Sequence, residues 1–361
     1  MAFWEFLEKF VQRLYSRFGN HCISCKAGIP RISKLSVFNT DVGFNGTANV
    51  AEETAQRVQT AIEQLQYRPN ELARAFRGHR SRCIGLILPY LYDPFFANCA
   101  HAVTAIAKEH GYSVIITTSN EDPETEYVEA EQMLRWNVEG IVVIPTRSQQ
   151  SRLTRTLSGK TPVVAFDRPG IDPAFDVVLV QNTAGARRMV EHLIEHGHKH
   201  ICFMGLSRNV FTINARFLGY RGAVRDAGLQ IDAFFGCESQ QGTLHAIEEK
   251  LRGQNPPTAF FASNTLATRY VLAALLHLGV KMPNDLAFAG FDDFDLAGLT
   301  SPSLTVVRQP TQEVGRVATN LLFDRIERGE LPQTGNRIIL PVEVVLRRSC
   351  GCKHRVPVVA H

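Results

Sequence analysis

Polar and aromatic side chains follow several apolar runs of this 361-residue sequence. They are Tyr92, Asp93, Phe95, Phe96, Asp167, Arg168, Ser263, Asn264, Asp292 and Asp293, together with Arg216 early in the pattern TINARFLGYRGAVRDAG. Carboxylates accept hydrogen bonds from hydroxyl groups, a guanidinium donates a planar fork, and an aromatic face covers the apolar side of a sugar or base. Together these residue types predict a cleft for a small polyhydroxylated molecule. Taken singly, each could instead be a helix cap, a turn acid or a core residue.

The elements that must position these residues are predicted by apolar runs that alternate with stretches of helical length. The runs are CIGLILP, SVIITTS, GIVVIP, PVVAFD, DVVLVQN, HICFMG, AFFASN and LAFAGFDD. This pattern is typical of parallel sheets covered by helices on both faces. Eight runs fit two smaller sheets better than one large sheet. Because ligands of such sheets bind beyond the carboxyl ends of the strands, the polar residues stand where a site is expected.

The excess positive charge lies near the amino terminus. Residues 1–82 contain 12 Lys and Arg against 7 Asp and Glu, whereas the remainder contains 27 against 28. A basic segment joined to a nearly neutral body predicts an appendage that binds a polyanion such as nucleic acid. An ordinary solvated face is the alternative interpretation.

Composition narrows the class of protein. The eight cysteines are scattered and no long apolar run occurs, so neither a disulfide scaffold nor a membrane span is predicted, and we expect a cytoplasmic protein. The opening MAFWEFLEKFVQRLYSRF carries charges where a secretory signal would be apolar. Its apolar residues have helical spacing, which predicts an amphipathic helix. This helix could pack on the body or a second subunit, lie on a membrane surface, or belong to a non-native segment.

Metal and catalytic sites are not predicted. His196, His198 and His200 span a predicted helix end and strand start, where ligands rarely converge. The CxxC and CxC spacings of Cys22–Cys25 and Cys350–Cys352 permit a shared zinc, which we consider less favoured. The aspartates near Asp292 could form a hydrolytic pair, but the sequence has no dinucleotide, phosphate-binding or nucleophile-elbow motif. We therefore expect no enzyme activity, no cofactor and no metal.

A family resemblance extends over residues 45–352. The motifs that carry it are NGTANVAEETAQRVQTAIEQLQYRPNELARAFR, CIGLILP, FDR, TINARFLGYRGA, FASN, MPNDLAFAGFDDFDLAGLTSPSLTVVRQP and VEVVLRRSCGC. In this order they resemble the LacI/GalR family of transcriptional repressors. The resemblance implies a periplasmic-binding-protein-like core of two doubly wound parallel-sheet α/β lobes. It also implies a small helical DNA-binding segment at the amino terminus and a homodimer on a pseudo-palindromic operator.

The resemblance also implies which residues bind ligands. For the effector, a sugar or sugar derivative, it implies Phe95, Phe96, Asp167, Arg168, Arg216, Asn264 and Asp292. For operator DNA, it implies Arg68, Asn70, Leu72, Ala73, Arg74, Phe76 and Arg77.

The segment PNELARAFR resembles the family's hinge helix, which pairs with its dimer mate in the minor groove. Phe76 occupies the position of the apolar wedge, where leucine is usual, and Ala73 lies on the close-packed face. Contacts from Arg74 and Arg77 to phosphates would help to offset the cost of unstacking a base step. Pro69 suits the start of such a helix. A helix this short is unstable alone in water, so DNA and a second copy would have to stabilise it.

The sequence departs from the family pattern upstream of Asn45. KAGIPRISKLSVFNTDVGFNG stands where a turn and a recognition helix are expected, and the turn-like Ala27–Gly28–Ile29 lies too far from Asn45. Base-specific contacts therefore cannot be assigned there. A frameshift or wrong start affecting residues 1–44 and a divergent headpiece are the two explanations.

These observations predict a domain organisation and a function. We expect a headpiece at 1–66, a hinge helix and linker at 67–82, a first lobe at 83–181 plus 309–339, and a second lobe at 182–308 plus 340–361. We expect a sugar-responsive repressor that changes its DNA affinity when an effector closes the lobes. The alternative is a sugar-binding protein of the same core fold with a non-functional headpiece.

Overall fold

The computed structural model describes residues 81–146, 153, 157, 161–170, 172–329 and 334–352. All eight predicted apolar runs form strands within this part of the chain. Four further strands, at 232–235, 305–308, 337–340 and 343–345, were not predicted. These four are short, and three of them lie at sheet edges, where a continuous apolar run is not required.

The first sheet contains six parallel strands in the order β11-β5-β4-β3-β1-β2. The central strands β1, β3 and β4 are almost completely buried, as expected for strands covered on both faces. The strands are β1 (Cys83–Leu88), β2 (Ser113–Thr118), β3 (Ile141–Val143), β4 (Val163–Phe166), β5 (Asp176–Val180) and β11 (Arg337–Leu340).

The second sheet has the order β12-β10-β9-β8-β6-β7. Its strands are parallel except for the edge strand β12, which pairs with β10 in the antiparallel sense. The strands are β6 (Ile201–Gly205), β7 (Asp232–Phe235), β8 (Ala259–Ala262), β9 (Ala287–Phe291), β10 (Thr305–Arg308) and β12 (Glu343–Val345).

Helices connect most consecutive strands. They are α1 (Pro94–Glu109), α2 (Pro123–Arg135), α3 (Asn182–Glu195), α4 (Phe211–Asp226), α5 (Gln240–Arg252), α6 (Thr265–His277) and α7 (Thr311–Arg328), with a 3₁₀ turn at Asp295–Gly298. Asp93 and Asp122 cap α1 and α2, and a proline stands at the first position of each helix. A side chain that accepts a hydrogen bond from a backbone N–H suits the cap position just before a helix. Proline, which has no N–H, suits the first position of the helix itself.

The chain passes from one sheet to the other at three places within the described residues. It leaves the first sheet after β5, returns after β10, and crosses again between β11 and β12. Helix α7, which follows β10, packs against α1 and β4 of the first sheet. One hydrophobic cluster includes Val178 of the first sheet and Phe203 and Phe291 of the second, so the two lobes share a core.

The predicted fold class is confirmed for the body: two sheets dominated by parallel strands, with helices, in a periplasmic-binding-protein-like arrangement. The predicted amino-terminal helical segment lies outside the described residues. Among the described helices, none combines the length and the apolar character that crossing a lipid bilayer demands.

Candidate functional site

Two buried aspartates follow strands that occupy similar places in the two sheets. Asp167 follows β4 and Asp292 follows β9, and both are almost completely buried. Their φ angles are 62° and 80°, in the left-handed region that residues other than glycine seldom adopt. Aspartate is among the few residues that tolerate it. Strained residues of this kind cluster at functional sites, so both positions are candidates for ligand contact.

The Asp292 carboxylate is held by its neighbours. Its Oδ2 accepts hydrogen bonds from the backbone N–H of Thr265, at 3.2 Å, and from the Thr265 hydroxyl, at 3.4 Å. Its Oδ1 accepts from Nε2 of Gln309. Arg216 Nη1 lies 3.6 Å from Oδ2. These contacts fix the orientation of the carboxylate before any ligand binds.

Arg216 is a buried cation on α4. Its Nε donates to Asn182 Oδ1 and its Nη1 donates to the backbone oxygen of Ser263, each at 2.8 Å. The guanidinium also lies 3.7 Å from the centre of the Phe291 ring, a favourable cation–π distance. Burial lowers the pKa of Arg216, although the charge of Asp292 opposes that effect. The side chain is thus positioned by groups from several elements of the second lobe.

Arg168 is paired with a carboxylate of its own lobe. Its two terminal nitrogens donate to the two oxygens of Glu121, each at 2.7 Å, and Nε lies 3.4 Å from Asp167 Oδ2. Burial is the largest single influence on the pKa of Arg168 and lowers it, but the hydrogen bonds and charges of Glu121 and Asp167 together outweigh burial and raise the pKa. Arg168 therefore serves mainly to hold Glu121 and Asp167, and a ligand anion would have to compete with that bidentate pair.

Charged groups of both lobes lie close enough to Asp93 to shift its pKa. Burial, followed by the nearby charge of Asp292, raises the pKa of Asp93 to about 6. Asp167 raises it further, whereas Arg216 lowers it. Burial also raises the pKa of Asp167, against the influence of Arg168 and Arg216. We call Asp93, Asp167, Arg168, Arg216 and Asp292 the acid–arginine cluster.

Buried polar atoms beside the cluster lack hydrogen-bond partners among the described residues. They include Ser263 Oγ and Gln309 Oε1. Ser263 Oγ belongs to the residue whose carbonyl accepts from Arg216, and Gln309 donates to Asp292 through its other amide atom. An unsatisfied buried polar atom costs about 1–3 kcal/mol. A hydroxylated ligand would supply the missing partners.

The remaining predicted effector residues are the two phenylalanines and Asn264. Phe95 and Phe96 lie in the first turn of α1, two and three residues after the cap Asp93, and their rings meet edge to face with centroids 5.4 Å apart. Asn264 caps α6, since its Oδ1 accepts from the backbone N–H of Ala267 at 3.0 Å. The structure thus pairs Asp167 with Arg168 and Asp292 with Arg216, places the two pairs close enough for their charges to act on each other, and gives Asn264 a capping contact. The predicted DNA-binding residues all lie outside the described residues.

Among the described residues, four whose side chains hydrogen-bond to the cluster were not singled out from the sequence: Glu121, Asn182, Thr265 and Gln309. Asn182 and Gln309 come within two residues of the ends of β5 and β10. The rule that ligands bind beyond the carboxyl ends of strands could therefore have found Asn182. It could not have found Gln309, because strand β10 was itself not predicted. Asp293, although noted, pairs with Arg308 and Arg347 instead.

Comparison with known proteins identifies the family. The family described as "Periplasmic binding proteins and sugar binding domain of LacI family" matches residues 81–345. The chain belongs to the LacI/GalR family. Its LacI-type effector domain is the part that contains both sheets and the acid–arginine cluster.

The LacI-family relatives are transcriptional regulators. The chain is 29% identical over 329 residues to the HTH-type transcriptional regulator DegA of Bacillus subtilis, covering 89% of this chain and 96% of that protein. It is 29% identical over 326 residues to the ribose operon repressor of Halalkalibacterium halodurans, covering 89% and 95%. Among solved structures, the transcriptional regulator CelR–cellobiose complex matches with a TM-score of 0.67 and 26% identity, covering 86% of this chain and 94% of that chain. The chain is thus similar to LacI-family regulators and repressors along most of its length, and it carries the family's sugar-binding domain.

Proposed function

We propose that this protein is a sugar-responsive transcriptional repressor that binds a pseudo-palindromic operator as a homodimer. A small polyhydroxylated effector closes the two lobes and thereby changes the affinity for DNA. The observation that carries the proposal is the acid–arginine cluster, in which Arg216 and Asp292 of the second lobe lie 3.6 Å apart and their charges shift the pKa values of Asp93 and Asp167 of the first lobe.

The chemistry of the cluster fits a sugar. The carboxylates of Asp167 and Asp292 accept hydrogen bonds from ligand hydroxyls, and Arg216 donates to a ligand oxygen. Ser263 Oγ and Gln309 Oε1 lack partners among the described residues and would gain them from further hydroxyls. Phe95 and Phe96 suit the apolar side of the ring. Arg168 holds Glu121 and Asp167, and Asn264 orients the start of α6. These groups bind and orient without an evident nucleophile, so we propose no catalytic activity.

Ligand binding between the lobes has a direct mechanical consequence. A molecule that contacts both sheets favours the arrangement in which the two lobes lie closest, so it shifts the balance between open and closed forms. We propose that the hinge segment 67–82 transmits this shift to DNA. Such coupling is typically worth about 1–3 kcal/mol, or roughly 5- to 150-fold in DNA affinity.

The DNA contacts are proposed from the sequence. Arg74 and Arg77 contact phosphates, Phe76 wedges between base pairs, and Ala73 lies against the second hinge helix. Arg68, Asn70 and Leu72 complete the proposed contact surface. The names of the relatives, which are those of regulators and operon repressors, support a nucleic-acid target.

We propose that the effector is a sugar, and a ligand screen would identify which one. Cellobiose in the CelR complex and ribose in the name of the operon repressor belong to those proteins. For this chain they support a screen of pentoses, hexoses, disaccharides and sugar acids. A sugar that binds the folded state raises the unfolding temperature, and the shift identifies it.

Substitution of Asp292 tests the site. We expect Asp292→Asn to reduce the affinity for the sugar found by the screen about 10- to 100-fold, because hydrogen bonds to a charged acceptor are lost. The matched control is Asp293→Asn, since Asp293 pairs with Arg308 and Arg347 and is not part of the cluster. Titration calorimetry measures both affinities. Equal loss in the two variants would refute the site assignment.

A DNA titration separates the two candidate classes. We expect the full chain to bind one pseudo-palindromic sequence, selected from a random library, with an affinity that falls as salt rises and changes when the sugar is added. An Arg74→Ala/Arg77→Ala variant should bind more weakly and with a smaller salt dependence. Sugar binding with no DNA binding at low salt would instead favour the sugar-binding protein with a non-functional headpiece.

A further inference from the structure

A cluster of histidine and cysteine side chains lies where the end of α3 meets the segment after β12. His192 and His196 are one helical turn apart, near the end of α3 and at its cap, and therefore face the same side. Cys350 and Cys352 follow β12 and are buried. The two histidines and two cysteines form a group that is distinct from the acid–arginine cluster.

The distances within this group are short. The candidate ligand atoms of His192, His196 and Cys352 all lie within 4.8 Å of one another. Cys350 Sγ lies 3.5 Å from His192 Nε2 and 2.7 Å from Cys352 Sγ. Four ligands around one tetrahedral ion, with metal–sulfur bonds of about 2.3 Å and metal–nitrogen bonds of about 2.0 Å, lie about 3.3–3.8 Å apart. The distance between His192 Nε2 and Cys350 Sγ fits this range, whereas the two sulfur atoms would have to move apart by about 1 Å. Small side-chain rotations would complete the geometry.

The histidine orientations suit metal binding. His196 Nδ1 lies 2.8 Å from the carbonyl oxygen of His192. If Nδ1 carries the proton and donates it to that carbonyl, Nε2 keeps its lone pair, which is the arrangement usual for histidine ligands. His192 directs Nε2 toward the thiol of Cys350. The nitrogen donors and the sulfur donors thus share one small region.

We propose that His192, His196, Cys350 and Cys352 form a metal site for Zn²⁺. Two imidazoles and two thiolates are a set of donors that zinc prefers in closed structural sites, and the His-x₃-His spacing on a helix is one that such sites use. Each cysteine binds as the thiolate, so its proton passes to solvent when the ion enters. The bound ion ties the segment after β12 to the end of α3.

This site differs from the ones weighed in the sequence. His198 has Thr258 Oγ1 as a partner of its Nδ1, and His200 has Asp232 as a partner of its Nε2. The histidine that completes the set is His192, which is separated from Cys350 by 158 positions. The ion would join two segments that are distant in sequence, and binding would therefore stabilise the folded second lobe.

Cobalt substitution tests the proposal on the full chain. Reduced protein, kept in a non-thiol reductant and freed of metal, is titrated with Co²⁺ and then with Zn²⁺. We expect one equivalent of Co²⁺ to produce thiolate-to-metal charge-transfer absorption and the visible bands of a tetrahedral ion. Zn²⁺ should displace the cobalt and raise the unfolding temperature. Cys352→Ser should weaken Zn²⁺ binding by at least about 100-fold, since even the loss of an outer partner costs 10- to 100-fold.

Control variants distinguish this site from others in the chain. His196→Ala should weaken binding strongly, whereas His245→Ala, which removes an exposed helical histidine elsewhere, should leave it unchanged. Cys22→Ser/Cys25→Ser should retain the full signal. Circular dichroism at low temperature confirms that each variant is folded. The proposal is overturned if reduced wild-type protein gives no thiolate band, or if the band survives in Cys352→Ser and disappears in Cys22→Ser/Cys25→Ser.

Discussion

Asp93 is both a helix cap and a partly buried carboxylate near other charges. Its Oδ1 accepts from the backbone N–H of Phe95 at 2.9 Å, so it caps α1, while its carboxylate faces the charges of Asp292 and Asp167. Burial and these like charges raise its pKa from an ordinary value of 3.8 to about 6. The folded protein therefore holds this proton more tightly than the unfolded chain does. The resulting stability is present below pH 4 and is lost as the pH rises through 6.

Replacing this carboxyl with an amide tests the assignment. Asn caps helices about as well as Asp, so Asp93→Asn keeps the cap and removes the cost of the buried charge. We expect the variant to be more stable than the wild type by about 1–3 kcal/mol at pH 7, and the gain to shrink toward pH 4.5. Urea unfolding at the two pH values measures the difference.

Asp122→Asn is the matched control for this change. Asp122 also caps a helix that begins with proline, but its hydrogen bonds with Thr125 lower its pKa. Removal of its charge should therefore not increase the free energy of unfolding at pH 7. A gain of the same size in both variants would contradict the explanation from burial and like charge at Asp93.

Helices α3 and α4 pack closely against each other. Gly219 lies on α4 at the point where that helix approaches α3, and a Cβ atom there would lie 2.2 Å from the backbone oxygen of Thr183. Backbone cannot move aside as a flexible side chain can. The close approach also brings Arg216, one turn earlier on α4, next to Asn182 at the start of α3. A small residue thus helps to position the cluster.

We expect Gly219→Ala to lower the free energy of unfolding by about 1–3 kcal/mol, because the two helices must separate. Gly222→Ala is its control on the same helix. A Cβ at Gly222 would meet Arg187 Nη1 at 3.5 Å, an ordinary contact, so the better helix propensity of alanine should stabilise by up to about 1 kcal/mol. Urea denaturation measures both. Equal effects of the same sign would be inconsistent with close packing at Gly219.

The two lobes share a hydrophobic core. Three crossings join the sheets within the described residues, and one hydrophobic cluster contains residues of both. Unfolding of one lobe would expose apolar surface of the other, at a cost of about 25 cal/mol for each Å². The two lobes should therefore unfold together.

We expect a single unfolding transition for the two lobes. The chain has two tryptophans, so Trp4→Phe leaves Trp136, at the end of α2 in the first lobe, as the sole tryptophan. Its fluorescence and the far-ultraviolet circular dichroism should give the same urea midpoint. A lower midpoint for Trp136, followed by a second transition in the dichroism, would show that the lobes unfold independently.

Much of the fold could be predicted because its signal is local. Apolar runs of strand length predicted eight of the described strands. The strands at 305–308 and 337–340 were missed because they are short and, at 337–340, partly exposed. A run of four residues carries little periodic signal.

The class of fold and the strand ends that carry Asp167 and Asp292 follow from the order of apolar and polar residues along the chain. Which charges pair became known only from the folded structure. Arg168 is bound by Glu121, 47 positions away, and His192 meets Cys350 across 158 positions. The strength of a charge–charge or ligand contact depends on distance in space and on burial, and neither can be read from separation along the chain.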